Sequence, residues 1–177
     1  MASILSHPAV PLAIGIAAGP RAVPPALTAA ACAASILPDV DSIGFWLGVP
    51  YDSPLGHRGF THSLCFAALV ALGCALLSPR LGAPAATVFA VVFVSTASHG
   101  VLDALTTGGM GVAFLSPFSN ARFFLPWRVI AVSPIGLAPF LSARGARVLR
   151  SELGWIWAPA ALIALAGLAL RRLGRAG

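Results

Sequence analysis

Apolar residues run along the chain in long blocks, and residues 22–38, 63–79, 81–98 and 153–170 contain no charged side chain at all. At about 1.5 Å of rise per residue, blocks of this length approach the roughly 30 Å of a bilayer core as helices. Two shorter apolar runs, 8–20 and 129–143, could be tilted spans, re-entrant pieces or core helices. The pattern predicts an all-α, polytopic helical membrane protein with four to six apolar helices, folded as a single membrane-embedded domain over residues 1–177.

Punctuation between the blocks sets their limits. Pro24 and Pro25 open the second helix and Pro38 closes it, so the first two helices form a tight hairpin. From Asp39 to Phe60 the periodicity fails and Gly, Pro, Asp and Ser dominate, which predicts a loop. Its Phe45, Trp46 and Tyr51 suit the membrane–water boundary. Thr61 is a candidate N-cap for a helix running to Ser78, Pro79 and Arg80, and Pro84 opens the next. That helix ends near "HGVLDALTTGG", where Gly108 and Gly109 offer a C-cap. The segment 105–135 is irregular, and Arg144, Arg147 and Arg150, spaced by three, then make one short basic helix face before the last apolar helix.

Composition strengthens the membrane reading. Apolar residues make up 58% of the chain, charged residues only 9%, and the mean hydropathy is +0.91, all outside the soluble range. The net charge of +6 comes from eleven arginines and no lysine, placed mostly at loops and helix ends. That is the distribution of membrane flanks, and no nucleic-acid partner is expected. Cys32, Cys65 and Cys74 lie inside apolar runs without C-x-x-C spacing, which argues against a disulfide framework or a thiolate zinc site. The first nineteen residues lack the positive n-region of a secretory signal and are expected to be a retained first helix.

If the first four helices alternate in direction, His7, the loop 39–60, the end of the fourth helix and the loop 105–135 share one membrane side. Trp46, Trp127, Trp155 and Trp157 fall on that side too. Arg21, Arg80, Arg171, Arg172 and Arg175 fall on the other, which the positive-inside rule marks as cytoplasmic. Arg144, Arg147 and Arg150 pull the other way, and the balance leans slightly to a site facing outward.

The rare polar residues are concentrated on the first side. Of five acidic residues and four histidines, seven fall between positions 39 and 103. Near the bilayer centre each costs on the order of 2.5–3.5 kcal/mol on insertion scales, so such residues have partners or a task. Asp39 and Asp41 are two apart in the sequence and would share a side in extended chain, His57 and His62 flank a loop-to-helix junction, and His99 and Asp103 share one helix face. Each has a structural alternative. Asp39 could end a helix, His99 and Asp103 could pair within theirs, and His57 and Arg58 could reach headgroups. Convergence of three segments on one side favours a metal centre held by Asp39, Asp41, His57, His62, His99 and Asp103, with His7 joining from the start of the first helix. Oxygen and nitrogen donors without sulfur favour zinc, with manganese, iron or magnesium as alternatives, and the number suits one or two divalent ions. No G-x-S-x-G, H-E-x-x-H or phosphate-loop motif is present. The His99–Asp103 spacing matches part of a phosphohistidine lipid-phosphatase motif, but that motif needs an arginine where Phe93 stands.

Taken together, "LPDVD", "HRGFTHS", "HGVLDALTTGG" and "PFSNARFFLPWRVIAVSPIG" resemble the YdjM-type family of membrane-bound metal-dependent hydrolases, over His7 to about Trp157. The resemblance implies a multi-pass protein of the bacterial inner membrane with a metal-dependent hydrolase activity. The family pattern carries over onto His7, Asp39, Asp41, His57, Arg58, Thr61, His62, Ser63, His99, Asp103, Thr106, Arg122 and Arg128. One departure is Val129, where the family commonly has proline after the arginine. The order of the ligands also looks like that of the zinc-dependent phospholipase C group.

The expected mechanism is attack of metal-activated water on a phosphoester-type substrate at the membrane surface, a lipid being the natural guess beside headgroups. Arg58, Arg122 and Arg128 are expected to neutralise the phosphate. The partners expected are membrane lipids and such a substrate, and the pattern fixes no oligomeric state. The rival is a non-enzymatic membrane protein with a structural or sensing metal site. Transport is a weaker third reading, because it would place acids nearer mid-membrane.

Overall fold

The computed structural model describes residues 1–176, with side chains followed to Gly174; the side chain of Arg175, assigned above to the far side, lies outside the described residues. In chain order the α-helices are α1 (Ala9–Ala18), α2 (Pro25–Ile36), α3 (Leu64–Ala75), α4 (Ser78–Leu81), α5 (Ala85–Ala104), α6 (Leu137–Phe140), α7 (Ala143–Glu152) and α8 (Ala158–Ala176). The protein is all-α. Among the described residues, β-pairing is confined to two isolated bridges, Thr106 to Ile130 and Val112 to Phe123.

Proline chemistry explains most of the boundaries. Pro25 sits in the first turn of α2, where its missing N–H costs nothing. Pro38 cannot donate to the carbonyl of Ala34, and from Leu37 to Phe45 the chain continues as a 3₁₀ helix. This corrects the loop expected from Asp39: residues 39–45 remain helical and prolong α2 to Phe45. The run 63–79 breaks after Ala75, because Pro79 cannot continue the hydrogen-bond ladder, leaving α3 at 12 residues and α4 as one turn. The 129–143 run stays irregular except for α6, since Pro134, Gly136 and Pro139 punctuate it. The basic segment and the last apolar helix, read above as separate, are one rod in which a π-turn over Leu153–Trp157 joins α7 to α8.

Three segments are long and apolar enough to cross a membrane: Pro25–Phe45, Ala85–Ala104 and Ala143–Gly174. The apolar helices α1 and α3 are shorter, at 10 and 12 residues. The described residues thus hold five apolar helices, the arrangement of a multi-pass membrane protein.

Helix α5 packs against α2 and α3, and α1 against α8. Small residues allow the approach: Ala31, Ala71, Val88 and Val92 form one core, and Ala9, Ala13, Ala160 and Ala164 another. A Cβ on Gly167 would lie 2.5 Å from the Cβ of Ala17, so this crossing requires glycine. The buried hydroxyls of Ser95 and Thr96 donate back to the carbonyls of Val91 and Val92 at 2.7 and 2.9 Å, which satisfies them where water is excluded. The helices alternate, so residues 1–7, the 3₁₀ extension of α2, the start of α3, the end of α5 and the start of α7 meet at one end. Arg171 marks the other, bonding the carbonyl of Ile16 at 2.5 Å.

Candidate metal centre

The site is built from four element ends. Residues 1–8 deliver His7, the 3₁₀ extension of α2 delivers Asp39 and Asp41, the residues before α3 deliver His57, Arg58, Thr61 and His62, and the last turns of α5 deliver His99 and Asp103. All of these histidine, arginine and aspartate side chains are buried. The N-cap of α3 is Ser63, whose side chain accepts from the N–H of Phe66 at 3.1 Å; this corrects the expected cap at Thr61. The Thr61 hydroxyl turns inward and donates to Asp41 Oδ2 at 2.6 Å.

Hydrogen bonds around the rim fix which histidine nitrogens carry protons. Nδ1 of His99 lies 2.8 Å from the carbonyl of Ser35, which can only accept, so the proton is on Nδ1 and the lone pair on Nε2. Nδ1 of His57 donates to Asp41 Oδ1 at 2.7 Å, and Nδ1 of His62 faces Asp41 Oδ2 at 3.2 Å. Burial pushes the His62 pKa down and lowers that of His7 to about 3, which keeps both imidazoles in the neutral, coordinating form.

The remaining atoms converge without partners. Nε2 of His62 and Nε2 of His99 face each other at 3.1 Å. Two lone pairs at that distance repel unless a cation lies between them, and two nitrogens on one tetrahedral zinc sit about 3.3 Å apart. Asp39 Oδ1 is 3.4 Å from His99 Nε2 and 3.9 Å from His62 Nε2, and Asp103 Oδ2 is 3.6 Å from His62 Nε2. The His7 ring stacks on His99 with centroids 3.6 Å apart, and its Nε2 lies 3.9 Å from Asp39 Oδ2 and 4.0 Å from Asp103 Oδ1. Both nitrogens of His7, both oxygens of Asp39 and Nε2 of His57 are buried with no hydrogen-bond partner. Orphaned buried polar atoms of this kind are costly, and so is the gathering of three buried carboxylates, Asp39, Asp41 and Asp103, around a single buried arginine. A divalent cation removes both costs. Two sets of donors, Asp39, His57, His62 and Asp103, and His7, His99 and Asp103, each gather ligand atoms within 4.8 Å of one another and share Asp103.

Several expected residues occupy other roles. Asp41 stands behind the converging atoms, its oxygens taken by His57, His62, Thr61 and the N–H of Arg58. Arg58 is fully buried with φ +63 and donates to Asp103 Oδ2 at 3.0 Å, Thr106 Oγ1 at 2.8 Å and the carbonyl of Gly108 at 2.9 Å. It braces Asp103 and does not face a cleft. Gly108 and Gly109 lie beyond the end of α5 and do not cap it, yet Gly109 is required: at φ +94, any Cβ would lie 2.6 Å from Arg58 Nη1. Arg122 donates to the carbonyls of His57, Tyr51 and Ser53, clamping the loop behind the site. Arg128 is exposed, stacked 4.8 Å from the Phe124 ring centroid.

Sequence reasoning missed two contributors. The first is Glu152, fully buried, which accepts from the N–H of Ser3 and from the hydroxyls of Ser3 and Ser6 at 2.6 and 2.8 Å, while Trp157 Nε1 donates to Ser6 Oγ at 3.1 Å. With the N–H of Ala2 on Asp103 Oδ1 at 2.7 Å, this fastens the segment carrying His7. Its signal was available, since Glu152 is the chain's single glutamate and adjoins an apolar run. The second is Ser35, which acts through a backbone carbonyl and so leaves no trace in the sequence.

Two clefts reach the centre. One, of about 370 Å³, is bordered by Tyr51, His57, Gly109 and Arg144, and the other, of about 410 Å³, by Asp39 with Ile4, Leu5, Leu137, Phe140 and Leu141. Met1, Ser133 and Pro134 border both.

Residues 1–176 match the family described as "YdjM inner membrane protein". The chain is 43% identical over 164 residues to the inner membrane protein YbcI of Escherichia coli (strain K12), an overlap that covers 92% of this chain and 95% of that one. No solved structure is significantly similar.

Proposed function

The chain belongs to the YdjM family of inner membrane proteins, and on that premise we propose that it is a metal-dependent hydrolase acting on a phosphoester-type substrate at one membrane face. The observation that carries this reading is the convergence of buried, unpartnered donors on Asp39, His57 and His7, with the facing lone pairs of His62 and His99. His7, Asp39, His57, His62, His99 and Asp103 would hold one or two divalent ions, zinc fitting the nitrogen-rich set best. Such an ion supplies Lewis acidity, polarising a phosphoryl oxygen and lowering the pKa of water to near neutral.

The protein's own groups do the rest. Asp41 fixes the tautomers and ring planes of His57 and His62, the Ser35 carbonyl fixes His99, and Arg58 holds Asp103. Arg144, an exposed cation on a cleft wall, is placed as an anion partner, whereas Arg58 is engaged with Asp103, Arg122 with loop carbonyls and Arg128 with the Phe124 ring. In the reaction the water oxygen bonds to phosphorus, the ester P–O bond breaks, and the departing oxygen takes up the proton released by the water.

The rival, a structural or sensing metal site, would be closed. The clefts at His57 and Asp39 support the open alternative. Metal analysis of detergent-purified protein beside His99→Ala and Asp39→Ala, with hydrolysis of a phospholipid panel with and without chelator, tests the proposal. Unchanged metal content in both variants sinks the centre, and bound metal without turnover on the panel favours the structural rival.

A further inference from the structure

The two clefts differ in chemistry, and the difference bears on the substrate. The cleft that reaches Asp39 runs between residues 3–5 and 136–141. Ile4, Leu5, Leu137 and Leu141 on its walls are 48, 55, 73 and 75% exposed, so its mouth is open and apolar at the polar end of the bundle. The cleft that reaches His57 carries the Tyr51 hydroxyl and the exposed guanidinium of Arg144. Met1, Ser133 and Pro134 line both, and each cleft borders one residue of the metal centre that carries unpartnered buried atoms, Asp39 in one and His57 in the other.

An apolar trough and a cationic pocket meeting at one reactive centre match the two halves of an anionic amphiphile. Resting on the hydrolase reading above, we propose that the substrate is an alkyl-chain phosphoester drawn from the membrane, with its chain in the cleft between Ile4–Leu5 and Leu137–Leu141 and its phosphate between Asp39, His57 and Arg144. A water-soluble phosphoester would leave the apolar trough unused. Burial of each methylene in such a trough strengthens binding about four-fold, so chain length is the property to vary.

The test uses full-length protein loaded with Co²⁺ in detergent and titrated with methyl-, butyl- and octylphosphonate, reading the visible absorption of the bound ion. Affinity is expected to rise more than ten-fold from the methyl to the octyl compound. In the variant carrying Leu137→Gln and Leu141→Gln, which adds no charge, that gain is expected to vanish while methylphosphonate, too short to reach the trough, binds as before. The ligand-free Co²⁺ spectrum reports whether the variant is folded, Leu141→Gln provides a milder second version, and partition into micelles cancels because both proteins see the same detergent. Arg144→Ala is expected to weaken all three phosphonates by a similar factor. Equal affinity for all chain lengths overturns the alkyl-chain assignment and leaves the metal centre standing, as does a length dependence that survives both leucine variants. No spectral response to any phosphonate overturns the hydrolase reading and this one with it.

Discussion

Two acidic clusters lie buried along the same N-terminal segment, and their surroundings treat them in opposite ways. Glu152 finds a partner for each oxygen: the N–H and hydroxyl of Ser3 and the hydroxyl of Ser6, itself held by Trp157. Asp39 finds none for either oxygen, although histidine nitrogens stand 3.4–3.9 Å away. A satisfied carboxylate in an apolar bundle is a fastener, whereas one surrounded by lone pairs is a vacancy for positive charge. Burial and acidity alone therefore do not distinguish a structural cluster from a chemical one. Hydrogen-bond accounting does.

Substitutions can break or sharpen this contrast. The largest effect is expected at the unsatisfied cluster: His99→Ala and Asp39→Ala should each weaken Zn²⁺ binding by more than about 100-fold, beyond what loss of an outer partner causes. Competition with a chromophoric chelator measures it, and near-native affinity in both would erase the distinction between the clusters. Next comes Asp41→Asn, which removes the acceptor that orients two histidines and should weaken metal binding by about 10- to 100-fold in a protein that still folds.

Glu152→Gln probes the satisfied cluster. It should lower stability by about 1–3 kcal/mol through loss of charge-assisted hydrogen bonds, seen as a lower melting temperature in detergent, with full metal content at saturating Zn²⁺. Loss of metal there would make Glu152 part of the chemistry after all. The smallest effect is expected for Arg128→Ala, within about 0.5 kcal/mol in stability and with unchanged metal affinity, because its guanidinium rests on Phe124 at the surface.

Much of the fold was legible because the bilayer constrains the chain so tightly. Uncharged runs located α1, α2, α3, α5 and α8, and membership of the family followed from "LPDVD" and "HRGFTHS". The misreadings have local physical causes. Pro38 removes one N–H but the 3₁₀ pattern absorbs the loss, so the polar residues after it stay helical. Pro79 ends α3 early, and the π-turn at Leu153–Trp157 lets a polar and an apolar segment join as one rod.

At the site, the sequence by itself determined which residues are rare enough in a membrane protein to matter, since placing charge in hydrocarbon is costly and few such positions are kept. It marked His7, Asp39, Asp41, His57, His62, His99 and Asp103 as one group, and the fold brings six of them together with Asp41 standing behind. Only the tertiary structure decided what each does. Asp41 became the brace of two histidines, Arg58 the brace of Asp103, Arg122 a loop clamp, and Arg144 the cation at the cleft. These roles depend on partners distant in sequence, as in Arg58 to Asp103, Glu152 to Ser3 and His99 to the Ser35 carbonyl. A side chain's chemistry is fixed by its type, but its free valence is fixed by what folds against it.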